Sequence, residues 1–159
     1  MSPADKIVSR SEIDERLASV ARPLVFTNGV FDLLHPGHAD YLARARSLGG
    51  ALIVGINTDS SARLLGKGDD RPINSEADRA FMLAALESVA LVTSFSERTP
   101  IELLHAVHPD IYVKGGDYDI ETLDESRFVR SYGGEAHAIA FRPGYSTTAL
   151  VKRIRKSKP

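Results

Sequence analysis

Two histidines three residues apart, in the run His35-Pro36-Gly37-His38, are the groups of this chain best suited to chemistry on an anion. They follow a short apolar run, Leu24-Val25-Phe26, that ends at Thr27-Asn28-Gly29, and they stand where the next amphipathic segment begins. A buried strand stopping at a tight turn would deliver two imidazoles, the amide of Gly37 and a helix N-terminus to one small volume. That is a site for phosphate. Asp32, between the strand and the histidines, is open to three roles: orienting an amide, touching a substrate hydroxyl, or capping the turn.

Further along the chain, other groups fit the same chemistry. Lys67 lies between Gly66 and Gly68 in a long irregular connection, so it can close over phosphates on a moving segment. Arg142, at the expected end of the last strand, offers the planar fork that matches phosphate. Ser146, Thr147 and Thr148 open the last helix, where hydroxyls and free amides can take phosphate oxygens. Gly115-Gly116-Asp117 and Asp59 suit a base and a ribose, since carboxylates accept from sugar hydroxyls and glycines let a planar group lie on backbone.

The elements that must position these groups alternate. Strands are expected over residues 24–26, 51–56, 89–93, 111–113 and 136–141, the second continuously apolar as a strand covered on both faces should be. Helices are expected over 37–47, with Ala39, Leu42, Ala43 and Ala45 inward, and over 76–87, with Phe81, Met82, Ala85 and Leu86 inward. Others follow over 100–107, opened by Pro100, then 122–132 and 147–156. Residues 57–75 form the long connection, with a helical turn near 62–65. Ser11-Glu12-Ile13-Asp14 predicts a weakly capped accessory helix within residues 1–22, ahead of one domain over residues 23–159. The class is α/β, an open, doubly wound, five-stranded parallel sheet. Every polar or glycine-rich cluster then falls at a carboxyl end of a strand, where such sheets bind ligands.

Composition narrows the remaining functions. Lys and Arg total 20 against 21 acidic residues, a net charge of -1, which gives no field for nucleic acid or an anionic membrane. The basic tail of Lys152, Arg153, Arg155, Lys156 and Lys158 reads as a solvated helix end. Without cysteine there is no thiolate chemistry and no disulfide, and with no long apolar run and no secretory leader in the first residues, a cytoplasmic protein is expected. His105 and His108 repeat the three-residue spacing but bring no third metal ligand, and no G-x-G-x-x-G follows the first strand.

Taken together, the run from Asn28 to His38, Asn57-Thr58-Asp59, Lys114-Gly115-Gly116-Asp117-Tyr118 and Gly144-Tyr145-Ser146-Thr147-Thr148 resemble the cytidylyltransferase-like, HxGH-bearing nucleotidyltransferase family, over residues 24–156. Within it, the Lys114 to Tyr118 run and the Arg71-Pro72-Ile73-Asn74 turn look most like members that adenylylate D-glycero-D-manno-heptose 1-phosphate. The resemblance implies a Rossmann-like fold, ATP with Mg²⁺ and heptose 1-phosphate as substrates, and ADP-heptose for lipopolysaccharide or surface-glycan synthesis as product. It also implies a homodimer and a separate heptose kinase upstream. By resemblance His35, His38, Lys67 and Arg142 are catalytic, and Asp32, Lys67 and Arg142 meet the acceptor. Asn28, Gly29, Val30, Phe31, Gly37, Asp59, Arg79, Lys114, Gly115, Asp117, Tyr145, Ser146, Thr147 and Thr148 hold the nucleotide, and no metal residue is assigned. One departure is Ala90, where the family carries Asp. Two alternatives stay open: the same reaction with CTP and glycerol 3-phosphate or a phosphorylated amino alcohol, and a non-catalytic nucleotide or nucleic-acid binding module.

Overall fold

In the computed structural model, which describes residues 1–157, strands β1 (Leu24–Gly29), β2 (Ala51–Asn57), β3 (Leu91–Phe95), β4 (Ile111–Gly115) and β5 (Glu135–Ile139) build one sheet. All pairings are parallel and the order is β3-β2-β1-β4-β5. The chain therefore winds outward from β1 to β3, crosses back, and winds outward again through β4 and β5. The order reverses between β1 and β4, the point at whose carboxyl ends sheets of this kind form a ligand-binding crevice.

Strand residues alternate between two cores. Val25, Leu52, Val54, Ile56, Val92 and Val113 face helices α2 (Pro36–Arg46) and α4 (Glu76–Ala84), while Leu24, Phe26, Ile53, Leu91 and Tyr112 face α1 (Ile13–Leu17), α5 (Ile101–Val107) and α6 (Asp124–Ser131). This period-two division explains why β2 is apolar throughout and buried at every position. The remaining helices are the short α3 (Asp59–Arg63) and α7 (Thr147–Lys156); Lys158 lies outside the described residues.

Several expectations shift. β1 runs on through Thr27, Asn28 and Gly29, with Gly29 still paired to Ile56, because the buried Thr27 hydroxyl is satisfied by the Tyr41 hydroxyl at 2.5 Å. On α2 the inward residues are Tyr41, Leu42 and Ala45, while Ala39 and Ala43 are exposed. Helix α4 is shorter than expected and its inward face is displaced by two residues, about half a turn, so that Arg79, Ala80, Leu83 and Ala84 face inward and Phe81 and Met82 stand half-exposed. Small alanines let this helix approach the sheet, which bulkier side chains would hold off.

The segment before β1 does more than decorate. Val8 donates its amide to the Val92 carbonyl at 2.9 Å, a parallel bridge joins Ile7 to Val92, and Ile13 is fully buried. The cap of α1 begins at Ser9, whose amide donates to the Glu12 carboxylate at 3.0 Å, rather than at Ser11. Ala90 sits just before β3 and donates its amide to Leu52 at 2.9 Å. It therefore belongs to the amino end of the sheet, opposite the crevice.

Candidate active site

His35 is the residue preceding α2, in extended conformation, and Pro36 supplies the first helical φ without spending an amide. One turn on, the His38 ring stacks on that of His35, with centroids 3.8 Å apart. The line continues on both sides: Tyr145 lies 6.2 Å beyond His35, Arg142 covers Tyr145 at 5.5 Å, and Phe31 meets His38 edge-on at 5.4 Å. Phe31 holds a left-handed φ of 51°, a conformation that non-glycine residues rarely adopt and that packing must enforce. Gly37 is required by this crowding, since a Cβ there would come within 3.0 Å of the His35 ring and of the Tyr145 Cβ. Sequence spacing anticipates the convergence of His35 and His38, but not the aromatic clamp that holds them.

Both Nδ1 atoms, of His35 and of His38, are buried without a hydrogen-bond partner. Burial, with the charge of His35 and of Lys67, pushes His38 down to about 4, against a weaker upward effect of the Leu33 backbone. His35 is lowered as well, by burial. Both rings are thus neutral near pH 7 and act as hydrogen-bonding groups. A consequence can be measured in folding. An unfolded His38 takes a proton near its ordinary value of 6.5 while the folded ring refuses it down to about 4, so its contribution is intact above pH 6.5 and is lost as pH falls through that window. With allowance for partial exposure the loss is on the order of 2 kcal/mol. Denaturant unfolding at pH 7 and pH 4.5 should show a smaller acid loss in His38→Gln than in wild type. An equal loss would mean that the folded ring titrates normally.

Around the pair, the helix N-terminus of α7 contributes next. Ser146 caps it, accepting from the Ala149 amide at 3.0 Å, and the amides of Thr147 and Thr148 precede the first intrahelical bond. Thr147 also donates its hydroxyl to the Leu33 carbonyl at 3.4 Å, which ties α7 to the loop that carries the histidines. Tyr41 completes the bracing from below, donating to the Val113 carbonyl at 3.3 Å and so joining α2 to β4 as well as β1.

On the β4 side of the crevice, Asn28 accepts from the Tyr112 hydroxyl at 3.1 Å, Lys114 lies 5.4 Å from the Tyr118 ring, and Asp117 is exposed. Burial lowers the Lys114 ammonium, with Glu125 opposing and Lys67 assisting. A Cβ on Gly115 would fall 2.6 Å from the Phe141 ring, and Gly116 has a φ of 111° with Tyr118 beside it. The glycines do leave a flat surface, and in this structure aromatic rings occupy it.

On the β2 side, a cavity of about 100 Å³ is lined by Val30, Phe31, Asp32, His38, Ala62, Lys67, Arg71, Pro72 and Thr147. A larger cleft of about 640 Å³ lies elsewhere, between α4 and the β3 edge, and its walls include Ile7, Val8, Phe81 and Val92. The smaller cavity holds the imidazole and the cations, and chemistry follows those groups rather than volume. Asp32, in the wall of this cavity, is engaged by the 71–74 turn, accepting from the Ile73 and Asn74 amides at 2.9 Å. Amide orientation is therefore its visible task.

Arg79 requires a correction. The expectation placed it facing phosphate, yet its side chain has no exposed surface and donates to the carbonyls of Asn74 at 3.1 Å, Val30 at 2.7 Å and Asn57 at 2.9 Å and to Asp59 at 2.9 Å. A guanidinium so fully used braces the loops. Its partner Asp59 is thereby engaged: burial raises this carboxyl, but the Arg79 hydrogen bond, the Glu76 backbone and the Arg79 and Arg63 charges outweigh that and hold it below its ordinary range. Arg142 does not line the small cavity and is exposed over Tyr145. Sequence reading missed Arg71 as a cation, although it stands within the turn quoted for the family resemblance.

With the switch-point crevice, the paired imidazoles and the α7 N-terminus in place, the class is defined: the chain belongs to the cytidylyltransferase-like family, whose profile matches residues 26–154. Among its relatives, a D-beta-D-heptose 1-phosphate adenylyltransferase of Bordetella bronchiseptica is 56% identical over 153 residues, covering 95% of this chain and 94% of that protein. The bifunctional protein HldE of Helicobacter pylori (strain 26695) is 48% identical and matches 96% of this chain, which spans 32% of that longer protein. Among solved structures, a lipopolysaccharide core biosynthesis protein from Thermoplasma volcanium superposes with a TM-score of 0.63 at 29% identity, covering 75% of this chain and 95% of that one. A pantothenate synthetase from Thermus thermophilus, at 16% identity and a TM-score of 0.59 over 92% of this chain and 70% of that one, shares the fold.

Proposed function

We propose that the protein transfers AMP from ATP to a D-heptose 1-phosphate, in the β configuration named for the Bordetella relative, giving ADP-heptose and pyrophosphate. The observation that carries this reading is the stacked, neutral His35 and His38 pair with its unpaired buried nitrogens, set between two helix N-termini at the sheet's reversal point. A phosphate monoester is largely dianionic near neutral pH, its second pKa being about 6, so the acceptor needs no protein base. One of its oxygens forms the new bond to the α-phosphorus, the bond from that phosphorus to the bridging oxygen breaks, and pyrophosphate leaves with the electron pair. What the chain supplies is position and donors for the charge that spreads over the α-phosphoryl oxygens.

Mg²⁺ is proposed to arrive on the triphosphate. Among the described residues no group of three or more His, Asp or Glu could hold a metal by itself, and phosphate oxygens commonly provide most of the ligands for this ion. We also propose that a sugar kinase makes the 1-phosphate, that the protein acts in the cytoplasm, where ATP is available, and that it works as a homodimer. No helix is long and apolar enough to cross a membrane among the described residues.

The test is pyrophosphate release with Mg²⁺, crossing ATP and CTP with heptose 1-phosphate, glycerol 3-phosphate and phosphocholine. Release that needs ATP and the heptose phosphate together is the expected result. Release only with CTP would keep the reaction and overturn the nucleotide, and silence across the grid would overturn the enzyme reading. Light scattering after size exclusion reports the oligomeric state in the same preparation.

A further inference from the structure

We infer that Arg71 is the residue that grips the acceptor's phosphate, in a subsite on the β2 side of His38, an assignment that rests on the reaction proposed above. Its side chain is 17% exposed, and among the described residues its guanidinium donates no hydrogen bond. Among the described residues, the carboxylate within ion-pair distance of it is that of Asp32, 3.7 Å away and beyond hydrogen-bond range. A guanidinium carries five donors in a fixed fork, and one that is held by packing with none of them spent on the protein is free to meet an anion. Arg79, eight positions on, makes the contrast: four of its donors are already spent on protein oxygens.

The surroundings give the anion its class. Arg71 opens into the small cavity with Lys67, His38 and the Thr147 side chain, while Val30, Phe31, Ala62 and Pro72 close the walls. Two cations, a hydroxyl and an imidazole around about 100 Å³ suit one phosphate group rather than a whole nucleotide. Asp32 does not cancel the attraction for such a guest, because Lys67 and Arg71 outnumber it in the cavity wall and its oxygens are engaged by the Ile73 and Asn74 amides.

Position separates this phosphate from the nucleotide. No residue of β4 or β5 lines the cavity, whereas the glycine-rich surface suited to a base lies at the end of β4. His38 stands between the two. A nucleotide in the β1/β4 crevice and an acceptor phosphate held from the β2 side would approach the α-phosphorus from opposite directions, as displacement at phosphorus requires.

Calorimetric titration tests this without turnover. Wild type, Arg71→Ala and Arg71→Gln are titrated with inorganic phosphate, with heptose 1-phosphate and, separately, with MgATP, and thermal melting confirms that each variant folds. Arg71→Gln keeps the shape against Pro72 and Asp32 but removes the charge. The expected result is at least about a tenfold loss of affinity for phosphate and heptose 1-phosphate in both variants, the scale of a lost charged hydrogen bond, with MgATP binding within about twofold of wild type. Unchanged affinity for the phosphates, a loss confined to MgATP, or no phosphate binding by wild type would overturn the assignment. If inorganic phosphate binds and is lost with Arg71 while heptose 1-phosphate does not bind, the subsite stands and the heptose reading falls.

Discussion

His38→Ala is expected to fold with the wild-type melting profile at pH 7 and to lose on the order of a hundredfold or more in turnover, the scale of removing one donor to developing transition-state charge. The ring has little structural duty to lose. It stacks on His35 and meets Phe31 edge-on, while its Nδ1 has no partner in the protein. A group that satisfies nothing in the free fold is arranged for something that arrives. Because the ring is neutral in the free protein, bound phosphates would favour its protonation, so binding of MgATP near pH 6 should take up a proton in wild type and less in the variant. Wild-type turnover in His38→Ala, with folding intact, would remove the histidine pair from the mechanism.

Arg79→Ala is expected to have the largest effect on stability, about 3–5 kcal/mol, because it deletes the partner of a carboxylate and of three carbonyls in a closed interior. For a chain of this size that is a fall of roughly 10 °C or more in melting temperature. Arg79→Lys should recover only part of it, since an ammonium cannot span the loop after β1, the end of β2 and the 71–74 turn from one point. Activity measured well below the new melting point should fall as well, through displacement of Asp32 and the loop that carries Arg71. A variant that melts normally yet binds ATP more weakly would restore the phosphate-facing role that the sequence suggested.

These two residues show where sequence reading succeeds and where it stops. His35 and His38 are legible because spacing and a glycine between them are local facts, and a helix start turns local facts into geometry. The doubly wound parallel class of an alternating α/β chain, and the carboxyl-end location of the site, follow from the pattern of apolar runs, while the order of the strands does not. Arg79 is not legible. A basic residue on a helix after a glycine-containing loop looks the same whether it faces solvent, phosphate or three carbonyls, and only the rotation of α4 by about half a turn decides it. That rotation is set by how closely Ala80 and Ala84 let the helix approach the sheet, a tertiary matter. Arg71 is hidden for the same reason in reverse, because Asp32, some forty positions away, holds the turn that aims it.

The pairing of Ile7 and Val8 with Val92 has a bearing on solubility. An open parallel sheet ends in a strand whose outer amides and carbonyls invite pairing with other chains, and β3 is such a strand. Here the protein's own leading segment occupies part of that rim, with Val8 buried against it and the apolar cleft beside Phe81 partly roofed by Ile7. Trimming residues 1–8 would therefore uncover a sticky margin outside the cavity that His38 lines. Such a shortened protein would keep its catalytic geometry and lose its resistance to self-association.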